Sequence, residues 1–132
     1  MSPVYLYILM RTDLASLNPG KAVAQGTHAA NQCIFELRNK DSEHLETMLH
    51  TWESETKAGF GTCVVLGVKE AEMRRVIAMA QEMGLHANIT HDPSYPLVDG
   101  EVVHLIPLDT CGYVFAHKDD AKILLSDLSL MP

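Results

Sequence analysis

A lysine directly after a proline-glycine pair, with polar residues recurring behind it, is the first grouping able to do chemistry: Asn18-Pro19-Gly20-Lys21-Ala22-Val23-Ala24-Gln25-Gly26-Thr27-His28. Asn18 suits a helix N-cap, and Pro19 suits the first helical position, where its missing N–H costs nothing. A helix start that follows a strand offers free N–H groups and a partial positive charge, a seat for a phosphate or a developing oxyanion. Lys21 adds a full charge and a movable donor there. Lys21, Gln25, His28 and Gln32 then follow at intervals of four, three and four, so they share one stripe of the helix. The same residues also fit an ordinary capped helix with a solvated lysine.

The second grouping is His91-Asp92-Pro93. An aspartate at the carboxyl end of a strand can orient a water or accept its proton, although Asp-Pro is equally a common turn pair. The histidines at 28, 44, 50, 86, 91, 104 and 117 include no H-x-x-x-H or H-E-x-x-H pair, and Cys33, Cys63 and Cys111 are widely spaced with no C-x-x-C. No metal site is therefore expected. The three cysteines read as reduced core residues, which argues against a disulfide framework and against a nucleophilic thiol. Neither G-x-G-x-x-G nor a P-loop lysine motif is present, so no cofactor is expected.

These groups need positioning elements, and the pattern supplies them in alternation. A nearly continuous apolar run from Val4 to Met10 predicts a strand buried on both faces. The spacing predicts a helix over Pro19–Arg38, with Ala22, Val23, Gly26, Ala29, Ala30, Cys33, Ile34 and Leu37 on its apolar side. Further helices are expected at about Asp41–Glu53 and Glu70–Met83, with a strand at Thr62–Val68 between them. A short strand His86–His91 should stop at Asp92-Pro93-Ser94-Tyr95-Pro96. A loop or hairpin over Leu97–Leu108, a strand Gly112–Ala116 and a short helix from about Asp120 complete the chain. Alternating strands and helices argue for a mostly parallel sheet covered on both faces, with its site where strands hand over to loops. Arg11-Thr12-Asp13 and His91-Asp92 would both lie at that rim.

With 132 residues and 47% hydrophobic content, one domain with one core is expected over residues 1–132. No stretch approaches the roughly 18–20 apolar residues of a membrane span, and the first residues read as a strand, not a secretion signal. A cytoplasmic protein with no membrane partner follows as the expectation. The formal net charge of −7 opposes a broad phosphate-binding surface, because nucleic-acid binding through phosphates normally shows a basic excess.

Together the segments resemble the type 2 peptidyl-tRNA hydrolase family. That family has a first strand ending in R-x-D-L and a first helix carrying G-K-x-x-A-Q-x-x-H-A. Here they stand as Arg11-Thr12-Asp13-Leu14 and as Gly20-Lys21 through Ala24-Gln25 to His28-Ala29. Trp52 before a glycine-bearing turn, Gly84-Leu85 after a helix, and a strand reaching Asp92 keep the family's order. The departure begins at Asp92, where the family continues D-A-G-x-T and this chain has Asp92-Pro93-Ser94-Tyr95-Pro96 and about ten extra residues. An insertion of Pro93 to about Val102 would bring His104 near the family's first threonine and Thr110 onto its second.

The resemblance implies a three-layer α/β/α domain around a four-stranded mixed sheet, often dimeric. It implies metal-free hydrolysis of the ester joining a peptide to the terminal ribose of tRNA. Lys21, Asp92, His104 and Thr110 would be the catalytic candidates, and Arg11, Gly20, Gln25 and His28 would contact substrate. Two rivals stay open: a non-catalytic binding module of the same fold, and a hydrolase of a smaller ester or nucleotide. Clustering of Arg11, Lys21, Arg38, Lys40 and Lys118 on one face would favour tRNA; scattering would favour a rival.

Overall fold

The computed structural model describes residues 2–132. The elements follow in the order β1 (Val4–Arg11), α1 (Pro19–Arg38), α2 (Glu43–Glu53), β2 (Cys63–Val68), α3 (Glu70–Glu82), β3 (His86–Asp99), β4 (Val102–His117), α4 (Lys118–Leu125) and β5 (Ser129–Leu130). They build an α/β protein around one five-stranded sheet of order β3-β4-β1-β2-β5.

β1 is central and buried along nearly its whole length, as its unbroken apolar run requires. Its alternate residues serve two cores. Val4, Leu6, Ile8 and Met10 pack with Ala29, Cys33 and Leu37 of α1 and with Met48, Leu49 and Trp52 of α2. Tyr7 and Leu9 pack on the other face with Met73, Val76, Ile77 and Ala80 of α3 and with Leu124 and Leu125 of α4. Helices thus cover both faces of the sheet. Trp52 fixes the joint between α2 and β2: its indole N–H donates to the Thr62 carbonyl at 2.8 Å. A Cβ on Gly61 would come within 2.4 Å of that ring, so the glycine is required by space.

Two expectations about the sheet are corrected. It has five strands, because Ser129–Leu130 adds a short edge to β2. It is also mostly antiparallel, since only β1 and β2 run parallel. The physical reason lies in the connections. The path through α1 and α2 is long enough for a parallel crossover, whereas β3 and β4 meet through the turn at Gly100-Glu101, which permits only antiparallel pairing. Gly100 takes φ +63° in that turn.

The third correction concerns Asp92, where the strand was expected to stop. β3 runs through it to Asp99, and of the loop or hairpin expected over Leu97–Leu108 the hairpin is what forms, a paired arm that extends past the end of β1. Pro93 and Pro96 are tolerated because β3 is the outermost strand. Two irregularities interrupt the β3–β4 ladder. Thr90 pairs Cys111 but His91 pairs Asp109, leaving Thr110 as an extra residue on β4; Asp92 pairs Leu108 but Tyr95 pairs Ile106, leaving one extra on β3. Such bulges re-aim side chains.

Candidate functional site

The start of α1 forms as its sequence requires. The Asn18 side chain accepts the Lys21 backbone N–H at 2.9 Å, and Pro19 occupies the first turn. The helix then lies on the sheet through Gln25, Ala29, Cys33 and Leu37, all buried. Gln25 is only 2% exposed, although it belongs to the polar stripe. A buried amide needs partners for both its ends, and the β3–β4 ladder supplies them.

Gln25 Nε2 donates to Asp92 Oδ2 at 2.7 Å, while Gln25 Oε1 accepts from Thr110 Oγ1 at 2.6 Å. The bulge on β4 makes the second contact: Thr110 and Cys111 both turn toward α1, and the Cys111 thiol meets the Gln25 carbonyl at 3.5 Å. Asp92 Oδ1 accepts from the Ser94 N–H at 2.8 Å. Burial alone would raise the Asp92 carboxyl, but the Gln25 amide, the Ser94 N–H and the nearby His28 and His91 outweigh it and hold the group below its ordinary value. Asp92 is therefore ionised at neutral pH.

Lys21 lies one turn before Gln25 on the same stripe. Its Nζ donates to the Pro96 carbonyl at 2.8 Å and sits 5.1 Å from the centre of the Tyr95 ring. Two further ammonium hydrogens are left for a substrate. His28, Asn31 and Gln32 continue the stripe and, with Thr90, His91, Asp92 and Pro93, line an open cleft of about 370 Å³.

Lys21, Gln25, Asp92 and Thr110 are thus linked through two hydrogen bonds and one helix stripe, and His28 lines the cleft beside Asp92. Gly20 sits at the cap, close to the Asn18 side chain. The other two candidates lie apart. His104 is exposed on the arm, with Asp99 Oδ2 at 3.9 Å as its nearest charge partner. Arg11 is 7% exposed and engaged within the protein: it donates to Asp13 at 2.8 Å and to the Asp109 carbonyl at 3.0 Å, with Glu70 at 3.5 Å.

Sequence reasoning missed a second network at the rim. Asp109 accepts from Arg74 at 2.7 Å and meets His91 Nδ1 at 2.8 Å. The Arg74 guanidinium, with His91, holds the Asp109 carboxyl below its usual range despite partial burial. Tyr95 was also missed. It is fully buried, with its hydroxyl 2.9 Å from Ser16 Oγ. An aromatic between two prolines was its only sequence signal.

The basic residues are scattered. Lys21 and Arg38 stand at opposite ends of α1, roughly 25 Å apart at 1.5 Å per residue. Arg38 pairs with Glu53 at 2.9 Å, Lys40 donates to His86 Nδ1 at 3.2 Å, and Lys118 follows the end of β4 that pairs with the start of β1, away from Lys21. The cysteines differ from expectation at one position: Cys33 and Cys111 are buried, but Cys63 is exposed at the start of β2. Among the described residues, no group of three or more His, Cys, Asp or Glu side chains is arranged to hold a metal ion, and no helix is long and apolar enough to cross a membrane.

No curated protein matches the chain. Among solved structures, a protein of unknown function from Agrobacterium tumefaciens strain C58 is similar over 100% of both chains, with a TM-score of 0.55 at 8% identity. At that identity the likeness concerns the fold alone. The family model for peptidyl-tRNA hydrolase PTH2 matches residues 4–107, which takes in Lys21, Gln25, Asp92 and the arm as far as Pro107, and stops short of Thr110. With β1 through β3 and the opening residues of β4 inside that match, the chain belongs to the PTH2 peptidyl-tRNA hydrolase family.

Proposed function

We propose that this protein hydrolyses the ester bond between peptide and tRNA in peptidyl-tRNA, releasing free tRNA, and that residues 1–132 act as one catalytic unit. The observation that carries the reading is the Gln25 bridge, which fixes an ionised Asp92 beside a capped helix start that bears Lys21. Ester cleavage needs a placed water, a proton acceptor and positive charge where the oxyanion develops. Asp92 orients the water or takes its proton. Lys21 and the first N–H groups of α1 stabilise the oxyanion or hold the terminal phosphate. Gln25 aligns Asp92, Thr110 buttresses Gln25, and His28 contacts substrate from the cleft. His104 would join only as a contact to a substrate that reaches along the arm.

The scattered basic residues favour a second reading, in which the same site cleaves a smaller ester or the fold serves as a binding module. One assay separates them: purified protein on N-blocked aminoacyl-tRNA, with and without chelator. Release of free tRNA that survives the chelator supports the proposal. No release, with turnover of a small aminoacyl ester, moves the substrate class. No cleavage of either leaves a binding module.

A further inference from the structure

The arm enters the family pattern at the point where this chain departs from it, and its base reaches back to the site lysine. Tyr95 and Pro96 stand just past the second bulge, opposite Ile106 and Leu105. Tyr95 is 0% exposed, its hydroxyl is 2.9 Å from Ser16 Oγ in the loop before α1, and its ring lies under the Lys21 ammonium at 5.1 Å. The neighbouring Pro96 carbonyl takes one ammonium hydrogen at 2.8 Å. An aromatic face and a carbonyl are both electron-rich, so together they attract the cation and fix its direction. A proline at 96 serves this geometry, because its fixed φ limits the freedom of the carbonyl that follows.

We infer that Tyr95, with the Pro96 carbonyl, is a positioning residue for Lys21: the arm's base forms a cradle that presents the ammonium to substrate with two hydrogens free. The inference rests on the proposed function for its kinetic consequence, but not for the cradle itself. Ser16 locks the ring against the loop before α1, so loop, helix start and arm move as one body around the charge. A free lysine would have to be ordered by the substrate in each turnover; a cradled one is ordered beforehand.

The test keeps the ring's shape and changes its electronics. Tyr95→Phe removes the Ser16 hydrogen bond and keeps the π-face. Pentafluorophenylalanine at position 95 has nearly the same outline but an electron-poor face, which repels a cation. Tyr95→Leu removes the ring. Relative to Tyr95→Phe, the fluorinated protein should lose about three- to thirtyfold in kcat with KM within about twofold. The NMR signals of the Lys21 side-chain CH₂ next to Nζ should be ring-shifted in wild type and Tyr95→Phe. They should return to solvent values with the fluorinated ring and in Tyr95→Leu. Equal turnover of the two aromatic variants, with unmoved Lys21 signals, overturns the inference; so do unshifted signals in the wild type. Should Tyr95→Leu fail to fold, the two isosteric rings still decide. If the wild type cleaves no peptidyl-tRNA, the proposed function fails, and the NMR signals alone decide the cradle.

Discussion

Gln25 and Asp92, 67 positions apart in sequence, meet at 2.7 Å, and this one hydrogen bond ties helix α1 to the edge strand of the sheet. The carboxylate can only accept, so the atom facing it is the amide nitrogen, which leaves Oε1 for the Thr110 hydroxyl. Removing the amide strips Asp92 of a donor that holds it low against burial. If the ionised form is the active one, activity falls as pH drops through the Asp92 value, and Gln25→Ala should move that acid limb to higher pH. An acid limb of kcat/KM that stays in place in a well-folded Gln25→Ala protein would separate Gln25 from the chemistry.

Asp92→Asn keeps the acceptor for the Ser94 N–H but turns a donor toward Gln25, which must flip its amide to compensate. Thr110 can then accept instead of donate, so the fold should survive. Cleavage should drop by about two to four orders of magnitude with KM little changed, the usual span for a lost general base. A near-silent Asp92→Asn beside a crippled His104→Ala would move the base onto the arm.

Lys21→Ala should lower kcat by about a hundredfold or more while costing little thermal stability, because the half-buried side chain makes one hydrogen bond and one ring contact and fills no core. Lys21→Arg should recover only part of that, since a planar fork fits a compact cradle of one ring and one carbonyl poorly. Full turnover by either variant in single-turnover kinetics would return Lys21 to an ordinary surface residue.

Stability should depend on pH through a group far from the site. His86 is 6% exposed, with Lys40 Nζ 3.2 Å from Nδ1 and the Tyr113 hydroxyl 3.2 Å from Nε2. Lysine can only donate, so Nδ1 must be unprotonated, and burial followed by the Lys40 charge pushes His86 down from 6.5 to about 4. The unfolded chain therefore takes up this proton first as pH falls. The stabilisation is complete above about pH 6.5 and is lost progressively down to about pH 4, amounting to about 3 kcal/mol at 1.36 kcal/mol per unit. Glu36 Oε1 lies 3.9 Å from Nε2. Urea unfolding of wild type and His86→Gln across that window checks it: the variant should lack this slope.

Binding of tRNA should respond weakly to salt. With Arg11 buried and Arg38 at the far end of α1, few cations near Lys21 are left for phosphates. The slope of log affinity against log salt should be only about 2–4 in magnitude, at roughly 0.7–0.9 per neutralised phosphate. A far steeper slope in fluorescence titrations would reveal a basic surface assembled some other way, for instance across a dimer. An absence of salt-sensitive binding would favour the smaller-ester reading.

Local rules carried much of this protein. The unbroken apolar run of β1, the cap at Asn18, the span of α1 and the Lys21–Gln25–His28 stripe all follow from side-chain periodicity and terminal chemistry, which act within a few residues. Arg11 and Asp92 do lie near one level of the sheet, where Met10, Cys111 and Thr90 stand side by side across three strands, but antiparallel pairing through β4 puts them there, not the expected parallel sheet. Strand partners are long-range facts, and periodicity does not encode them. The same apolar runs serve a parallel or an antiparallel neighbour, and only the two-residue turn at Gly100 decided the matter for β3 and β4. Pro93 and Pro96 read locally as a stop; an outer strand has one edge with no ladder to donate to, and there they could be kept. That outer strand carries Tyr95 to Lys21, and the extra residue at Thr110 turns its hydroxyl to Gln25. Local chemistry sets the residues at the helix start; their partners depend on pairing and bulge register, which exist only once distant strands have met.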